Sequence, residues 1–250
     1  MKKINLENRY NLIDAIRGVM LVNMIVFHFL YDVFMIYGVD SKWAFVPAVV
    51  VWERIISVTF LVVSGISLNF SKHAYRRGII VNLCGFLITV VTFFAVPSQP
   101  VWFGVLNFIG CAMMICNALK NYLNKLDPVL GAGLSLLCFA VFYCVPERYL
   151  GLFGLKLIKL PDFLYGFRYA AFLGFPDKDF FSADFFPIIP HIFIFVFGYY
   201  LWRIIKSANK EELFRRRVYV LDFMGRHSLI IYLLHQPVLI GICFLIFGHI

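Results

Sequence analysis

The sequence predicts an all-α protein, a polytopic membrane helix bundle of about seven transmembrane helices. Residues of the set Ala, Val, Ile, Leu, Met, Phe, Trp, Tyr and Cys make up 62% of the 250 positions, and only 15% are charged. The mean hydropathy is +0.83. Soluble domains are closer to half apolar and a quarter charged, so lipid must be the solvent for much of this chain.

Apolar segments of spanning length follow one another along the chain, and about 20 mostly apolar residues suffice to cross a bilayer. The candidates are 12–37, 46–70, 78–96, 102–119, 128–145, 187–205 and 225–248. The first has no small-residue cleavage site, which predicts a retained helix and not a signal peptide. Four residues, Pro97-Ser98-Gln99-Pro100, separate the third from the fourth and predict a tight helical hairpin. Segment 102–119 either spans the membrane or is re-entrant.

Residues 146–186, after the fifth candidate helix, are the only sizeable region with a non-membrane composition. This segment is charged and also rich in Gly, Phe and Tyr. We therefore expect it to pack as an extracytoplasmic cap over a single integral-membrane domain, residues 1–250. The sequence contains no internal repeat that would divide that domain.

Basic residues are distributed unevenly between the two sides of the predicted bundle. With the N-terminus inside, 16 of the 23 lysines and arginines fall on the cytoplasmic side. Cytoplasmic loops carry such an excess, so we expect a cytoplasmic N-terminus. The same distribution explains the net charge of +9 without a nucleic-acid partner.

The first helix carries two pairs of ionisable residues inside its apolar stretch, where charges are costly and each one is a functional candidate. Asp14 and Arg17 lie at the inner end, where i,i+3 spacing lets them pair, either to fix the helix end or to bind a ligand. His28 and Asp32 lie further along, one turn apart on the same face. A carboxylate there can orient the imidazole for general-base work, or the two can form a structural pair between helices.

Two further helices are predicted to bring ionisable residues to a similar depth. Glu53 and Arg54 lie in the outer half of the second helix, and Asp184 and His191 at the outer end of the sixth. Together with the first helix, they predict a polar pocket on the extracytoplasmic side. In the last helix His235 is near mid-membrane, just before Pro237. It either satisfies a backbone group freed by the proline or lines a passage.

Basic residues at the inner ends of the helices suit an anionic headgroup or a phosphorylated cytosolic ligand, or they are topology signals alone. They are Arg17, Arg76, Arg77 and Arg226. The six cysteines lie in apolar runs without a CxxC pair, so no metal is expected. The sequence contains no P-loop, dinucleotide-binding or zinc-protease motif.

Five short blocks, taken in order, resemble the bacterial relatives of heparan-α-glucosaminide N-acetyltransferase, within the transmembrane acyltransferases. They are 13–18 with 24–28, 59–67, 103–110, 184–190 and 225–237. The resemblance implies transfer of an acetyl or other acyl group from cytosolic acyl-CoA to an extracytoplasmic acceptor. It also implies a location in the bacterial cytoplasmic membrane. The family's catalytic histidine has no clear counterpart here, and His28 falls where the human member has an asparagine.

The leading hypothesis is thus an acyl-CoA-dependent N- or O-acyltransferase with His28 as general base, oriented by Asp32. Arg54 or His191 would stabilise the oxyanion or position the acceptor, together with Glu53 and Asp184. The basic inner residues would hold the CoA phosphates, with the pantetheine arm passing His235. The acceptor, a glycan or amino sugar among other candidates, and the oligomeric state are not specified. The alternatives are a proton-coupled transporter or flippase that uses the same ionisable residues, and a non-catalytic membrane subunit.

Overall fold

A computed structural model of the chain describes residues 9–40 and 42–248. Lys2 and Lys3, two of the basic residues that favour a cytoplasmic N-terminus, lie outside the described residues. The helices are α1 (Asn11–Tyr31), α2 (Pro47–Leu68), α3 (Ala74–Ala95), α4 (Val105–Ala118), α5 (Lys120–Leu123), α6 (Pro128–Phe142), α7 (Ile188–Ser207), α8 (Tyr219–Arg226) and α9 (Ser228–Phe247). A π-helical turn, Asp32–Ile36, directly continues α1.

Six helical segments among the described residues are long and apolar enough to cross a membrane. They are Asn11–Ile36, Pro47–Leu68, Ala74–Ala95, Pro128–Glu147, Ile188–Ser207 and Ser228–Phe247. Helix α4 is a seventh apolar helix but has only 14 residues. Its length is about 21 Å, less than the roughly 30 Å of a hydrocarbon core. The predicted all-α polytopic bundle of about seven helices is confirmed.

The chain divides into two compact units, one formed by residues 9–63 and 205–248 and the other by residues 64–204. In the first unit α1 packs against α8 through two glycines. Gly18 lies on the backbone of Leu221, and Gly225 lies on the backbone of Asp14. Small residues allow helix backbones to approach this closely, and the approach fixes α8 beside the N-terminal half of α1.

The second unit contains two more close helix contacts. Gly78 of α3 and Gly110 of α4 lie against each other's backbone. Gly65, near the end of α2, lies against the backbone oxygen of Phe195 in α7. The side chain of Asn69 adds a hydrogen bond to the carbonyl of Tyr199, at 3.2 Å.

Residues 146–186 contain a two-stranded antiparallel hairpin that the sequence reading did not predict. Strand β1 is Tyr149–Leu152 and β2 is Leu155–Lys159, with an irregularity between Leu150 and Gly151. Short 3-10 turns follow at Asp162–Tyr165 and Arg168–Leu173. The segment is joined to the loop before α4, because the N–H of Phe186 donates to the carbonyl of Phe103 at 2.9 Å. Its role as an extracytoplasmic cap stays a prediction.

Candidate active site

Two histidines from the opposite ends of the sequence meet in the first unit. The ring of His28 in α1 lies 4.9 Å from the ring of His235 in α9, centroid to centroid, in an edge-to-face arrangement. Both rings are half-buried. The sequence predicts a general base at His28 and a residue that satisfies a backbone group or lines a passage at His235, whereas the structure makes the two neighbours.

Each imidazole is oriented by a backbone carbonyl of its own helix. Nδ1 of His28 lies 2.9 Å from the carbonyl oxygen of Met24, and Nδ1 of His235 faces the carbonyl of Tyr232. A carbonyl can only accept a hydrogen bond, so Nδ1 must carry the proton in both rings. In the neutral state the lone pair is then on Nε2, and this tautomer is the one that can accept a proton from a substrate.

The carboxylate of Asp32 is bound by an amide and not by an imidazole. Nε2 of Gln236 in α9 donates to both carboxylate oxygens, at 2.8 and 3.0 Å. Asp32 is only 1% exposed. The expected hydrogen bond to His28 is not among those of the described residues. The ring bonds instead to the carbonyl one turn back, since helical side chains point toward the N-terminus.

Two acceptor atoms of the same region have no hydrogen-bond partner among the described residues. They are Nε2 of His235 and Oε1 of Gln236, and both are buried. An unpaired buried polar atom costs stability and is uncommon in folded proteins. The two atoms belong to consecutive residues of α9, and both can accept a hydrogen bond from a hydroxyl or amine.

Aromatic and polar residues of α2 adjoin this region. The indole N–H of Trp52 donates to the side-chain oxygen of Asn23 at 3.1 Å, and its ring lies 5.5 Å from that of Phe27. Glu53 and Arg54 form an ion pair with each other at 3.4 Å. The Arg54 side chain is 53% exposed, so α2 places that guanidinium on the surface of its unit.

A cluster of charged residues lies at the start of α1. The carboxylate of Asp14 is 2.9 Å from Nη1 of Arg17 and 2.6 Å from Nε of Arg9. The predicted i,i+3 pair is therefore confirmed. Nη1 of Arg17 also donates to the carbonyl of Gly225, at 3.3 Å. The next residue, Arg226, has a buried Nη1 without a hydrogen-bond partner in the part of the chain that the structure describes.

The other predicted site residues belong to the second unit. One oxygen of Asp184 accepts the backbone N–H of Val105 at 3.0 Å and so binds the N-terminus of α4. Nδ1 of His191 faces the carbonyl of Pro187 at 3.0 Å. Two further candidates, Arg76 and Arg77, are exposed in the first turn of α3.

The chain that carries the His28–His235 pair matches a known protein family. A family profile described as "Heparan-alpha-glucosaminide N-acetyltransferase, catalytic" matches residues 9–237, which is most of the chain. The chain belongs to this acetyltransferase family. Comparisons with curated proteins and with solved structures give no match. The family makes the chain an integral-membrane transferase, in agreement with the six apolar helices.

Within this acetyltransferase family member, the predicted residues therefore form separate groups. The first unit brings together His28, Asp32 and His235, and separately Arg17 with the helix that carries Arg226. Glu53 and Arg54 also belong to that unit, while the second unit holds Asp184, His191, Arg76 and Arg77. No group of three or more His, Cys, Asp or Glu residues that would hold a metal ion occurs among residues 9–40 and 42–248.

One residue of the site was missed. Gln236 is the hydrogen-bond partner of Asp32 across 204 positions of sequence, and the sequence predicts no role for it. The available signal was an amide inside a strongly apolar helix, next to a histidine and a proline. A polar residue in such a position usually has a partner on another helix.

Proposed function

We propose that the protein transfers an acetyl or other acyl group from cytosolic acyl-CoA to a hydroxyl or amine on the opposite side of the membrane. The observation that carries this proposal is the pair of imidazoles, His28 and His235, each with Nδ1 bonded to a carbonyl. Both present an unprotonated Nε2 in a half-buried place. A general base must have a free lone pair within reach of the proton it removes.

In the proposed reaction the acceptor oxygen or nitrogen attacks the thioester carbonyl while Nε2 of His28 removes the acceptor proton. A tetrahedral oxyanion forms, and its collapse breaks the carbon–sulfur bond. The imidazolium of His28 returns the proton to the departing thiolate. The products are the acylated acceptor and free CoA thiol. The buried acceptor atoms of His235 and Gln236 would bind the remaining N–H or O–H groups of the acceptor.

Asp32 contributes through its charge in this scheme. The carboxylate is one turn from His28 on the same helix and is buried, so the field it exerts on a transient imidazolium is weakly screened. Its bonds to Gln236 keep it in place. We thus assign Asp32 as an electrostatic residue that does not orient the ring, and keep His28 as the catalytic base.

The CoA phosphates are assigned to the basic residues at the inner helix ends. Arg226 supports this best, because its Nη1 is a buried donor without a hydrogen-bond partner among the described residues, and phosphate oxygens are strong acceptors for guanidinium groups. Arg17 would stand beside it, although Asp14 already occupies part of its guanidinium. Arg76 and Arg77 are exposed in the second unit, and the CoA contacts predicted for them stay predictions.

The remaining candidates are proposed for the acceptor and the oxyanion. In the unit that holds His28, Arg54 would stabilise the oxyanion and Glu53 would contact the acceptor. The acceptor and oxyanion roles predicted for Asp184 and His191 stay predictions. The asymmetry of lysines and arginines supports a cytoplasmic N-terminus, and we propose the bacterial cytoplasmic membrane as the location. An amino sugar or other glycan is the proposed acceptor class.

The test is an acyl-transfer assay on the purified protein in phosphatidylcholine vesicles, with acetyl-CoA inside and glucosamine outside. Released thiol and acetylated glucosamine are both measured. Removal of a general base lowers the rate by about 10²- to 10⁴-fold, so His28→Ala should lose at least a hundredfold in both readouts. Binding of acetyl-CoA, measured by thermal shift, should persist in this variant.

His227 offers a matched control. Its Nδ1 bonds to the carbonyl of Phe223 at 2.9 Å, the same i,i−4 arrangement as in His28, but the residue is exposed. His227→Ala should keep the parent rate. A His28→Ala protein that retains the parent rate would exclude His28 as the base. If acetyl-CoA neither binds nor reacts, whereas vesicles show proton-coupled solute flux, the transporter alternative replaces the acyltransferase.

A further inference from the structure

The tip of the β1–β2 hairpin has an unusual composition for its geometry. Phe153 and Gly154 form a two-residue turn between Leu152 and Leu155, and both have positive φ angles, 46° and 93°. Such turns favour Asn-Gly or Asp-Gly, because most side chains are strained at positive φ. The conformation of the turn therefore does not explain why a phenylalanine occupies the first position.

Burial within its unit does not explain the phenylalanine at position 153 either. Its side chain is 70% exposed, and the neighbouring apolar residues of the hairpin are also exposed. They are Leu152 at 42%, Leu155 at 66%, Leu157 at 69% and Ile158 at 63%. A contiguous exposed apolar surface of this kind marks contact with another apolar phase or partner.

The hairpin folds back along a spanning helix. The backbone N–H of Phe153 donates to the carbonyl of Ala140 in the last turn of α6, at 3.1 Å. That carbonyl is one of the last four of the helix and has no partner within it. Ala140 lies inside the apolar span Pro128–Glu147, so the turn is placed beside the apolar part of α6. Two of the exposed leucines of that helix, Leu136 and Leu137, are 40% and 55% exposed.

The lysines of the hairpin form ion pairs with carboxylates that flank its strands. Nζ of Lys156 lies 2.8 Å from the carboxylate of Glu147, the last residue of the span. Lys159 and Arg148 both pair with Asp162, at 3.4 and 3.1 Å. Lysine stems can cover apolar surface while their amines stay in a polar layer. The hairpin thus has an apolar tip beside α6, and its two lysines pair with carboxylates outside the strands.

We infer that the hairpin tip, Leu152–Leu155 with Leu157 and Ile158, inserts into the acyl chains of the leaflet at the C-terminal end of α6. Lys156 and Lys159 then lie at the level of the lipid headgroups. The partner is lipid and not a second copy of the chain, because the apolar surface of the tip continues the lipid-facing surface of α6. The inference is independent of the proposed acyl transfer.

The test measures the depth of a spin label in vesicles of phosphatidylcholine and phosphatidylglycerol at a ratio of 3:1. The label is attached to Phe153→Cys and, as a matched control in the same segment, to Lys178→Cys, whose parent residue is exposed. Labelled parent protein measures the background from native thiols. The label at 153 should collide with oxygen more often than with a water-soluble nickel chelate, and the label at 178 should show the reverse.

Equal, water-like accessibility at both positions would overturn the inference. Low accessibility of position 153 to both reagents would overturn it too, since it would indicate a protein partner on the tip.

A second variant separates lipid contact from internal packing. Phe153→Asn places a favoured residue in the turn, so the melting temperature in detergent micelles should equal or exceed that of the parent. The rise in melting temperature on transfer from detergent to vesicles should be smaller than for the parent. A lower melting temperature in detergent would show that Phe153 supports the fold itself and would reject lipid insertion as its role.

Discussion

The contact between α1 and α8 allows a stability change to be worked out from backbone positions alone. A Cβ atom built on Gly225 would lie 1.8 Å from the backbone oxygen of Asp14, 2.5 Å from its carbonyl carbon and 2.9 Å from its Cα. Real Cβ atoms essentially never approach other atoms within 3.0 Å. The Gly225→Ala variant must therefore move the two helices apart by roughly 1 Å or more, since well-packed backbones cannot compress.

The free energy of that movement can be bounded. Inserting a methyl group into a packed region costs about 1–3 kcal/mol, and the upper end applies because the obstacle is backbone and cannot rotate away. Alanine recovers about 1 kcal/mol of helix propensity. The net loss is about 2 kcal/mol, which lowers the melting temperature of a protein of this size by about 4–8 °C. The hydrogen bond from Arg17 to the Gly225 carbonyl, at 3.3 Å, is lost as well.

The assay is thermal unfolding of purified protein in detergent micelles, with Gly241→Ala as the control. Gly241 is inside α9, and a Cβ built there meets nothing within 4 Å. Gly241→Ala should therefore raise the melting temperature, by helix propensity alone. A Gly225→Ala protein that melts at or above the parent temperature would refute the close packing of α8 on α1.

Three further results are expected. Gln236→Met leaves the buried Asp32 carboxylate without its two hydrogen bonds, so unfolding in micelles should be easier by about 3 kcal/mol, with a smaller loss in the Asp32→Asn/Gln236→Met double variant. Asp184→Ala removes the hydrogen bond to the Val105 N–H and should cost about 1 kcal/mol, whereas Asp184→Asn keeps an acceptor oxygen and most of the stability. The rate of acyl transfer should fall as the pH is lowered through the pKa of the general base, because a protonated imidazole cannot accept a proton; a rate that rises as the pH is lowered would contradict a histidine base.

The spanning helices could be predicted from sequence because the bilayer imposes both length and apolarity. Residues 102–119 were the exception, since their apolar run includes the irregular backbone before Val105 and the helix itself stops at Ala118. The hairpin at 149–159 gave no strong signal. Its turn has Phe153 where an asparagine would have marked a hairpin, and its strands are only four and five residues long.

Local pairing within the site was predictable and distant pairing was not. The ion pair of Asp14 with Arg17 follows from helix periodicity. The same periodicity also brought His28 and Asp32 onto one face, but a shared face does not decide which hydrogen bonds form. His28 bonds to a backbone carbonyl one turn back, and Asp32 bonds to a glutamine of the last helix. Neither partner can be deduced from spacing within α1.

His28 bonds to the carbonyl of Met24, and Asp32 bonds to Gln236, so the two residues do not bond to each other. This changes the role of Asp32. If Asp32 bonded directly to His28, it would select the tautomer itself, and its loss would alter both the ring orientation and the charge. Here the carbonyl of Met24 selects the tautomer, so Asp32 acts only through its field on the imidazolium. Gln236→Met and Asp32→Asn should then leave the neutral ring in its active tautomer and change the pH at which it becomes protonated. The dependence of the rate on pH therefore separates the two arrangements, because only a direct bond would make Asp32→Asn abolish the base.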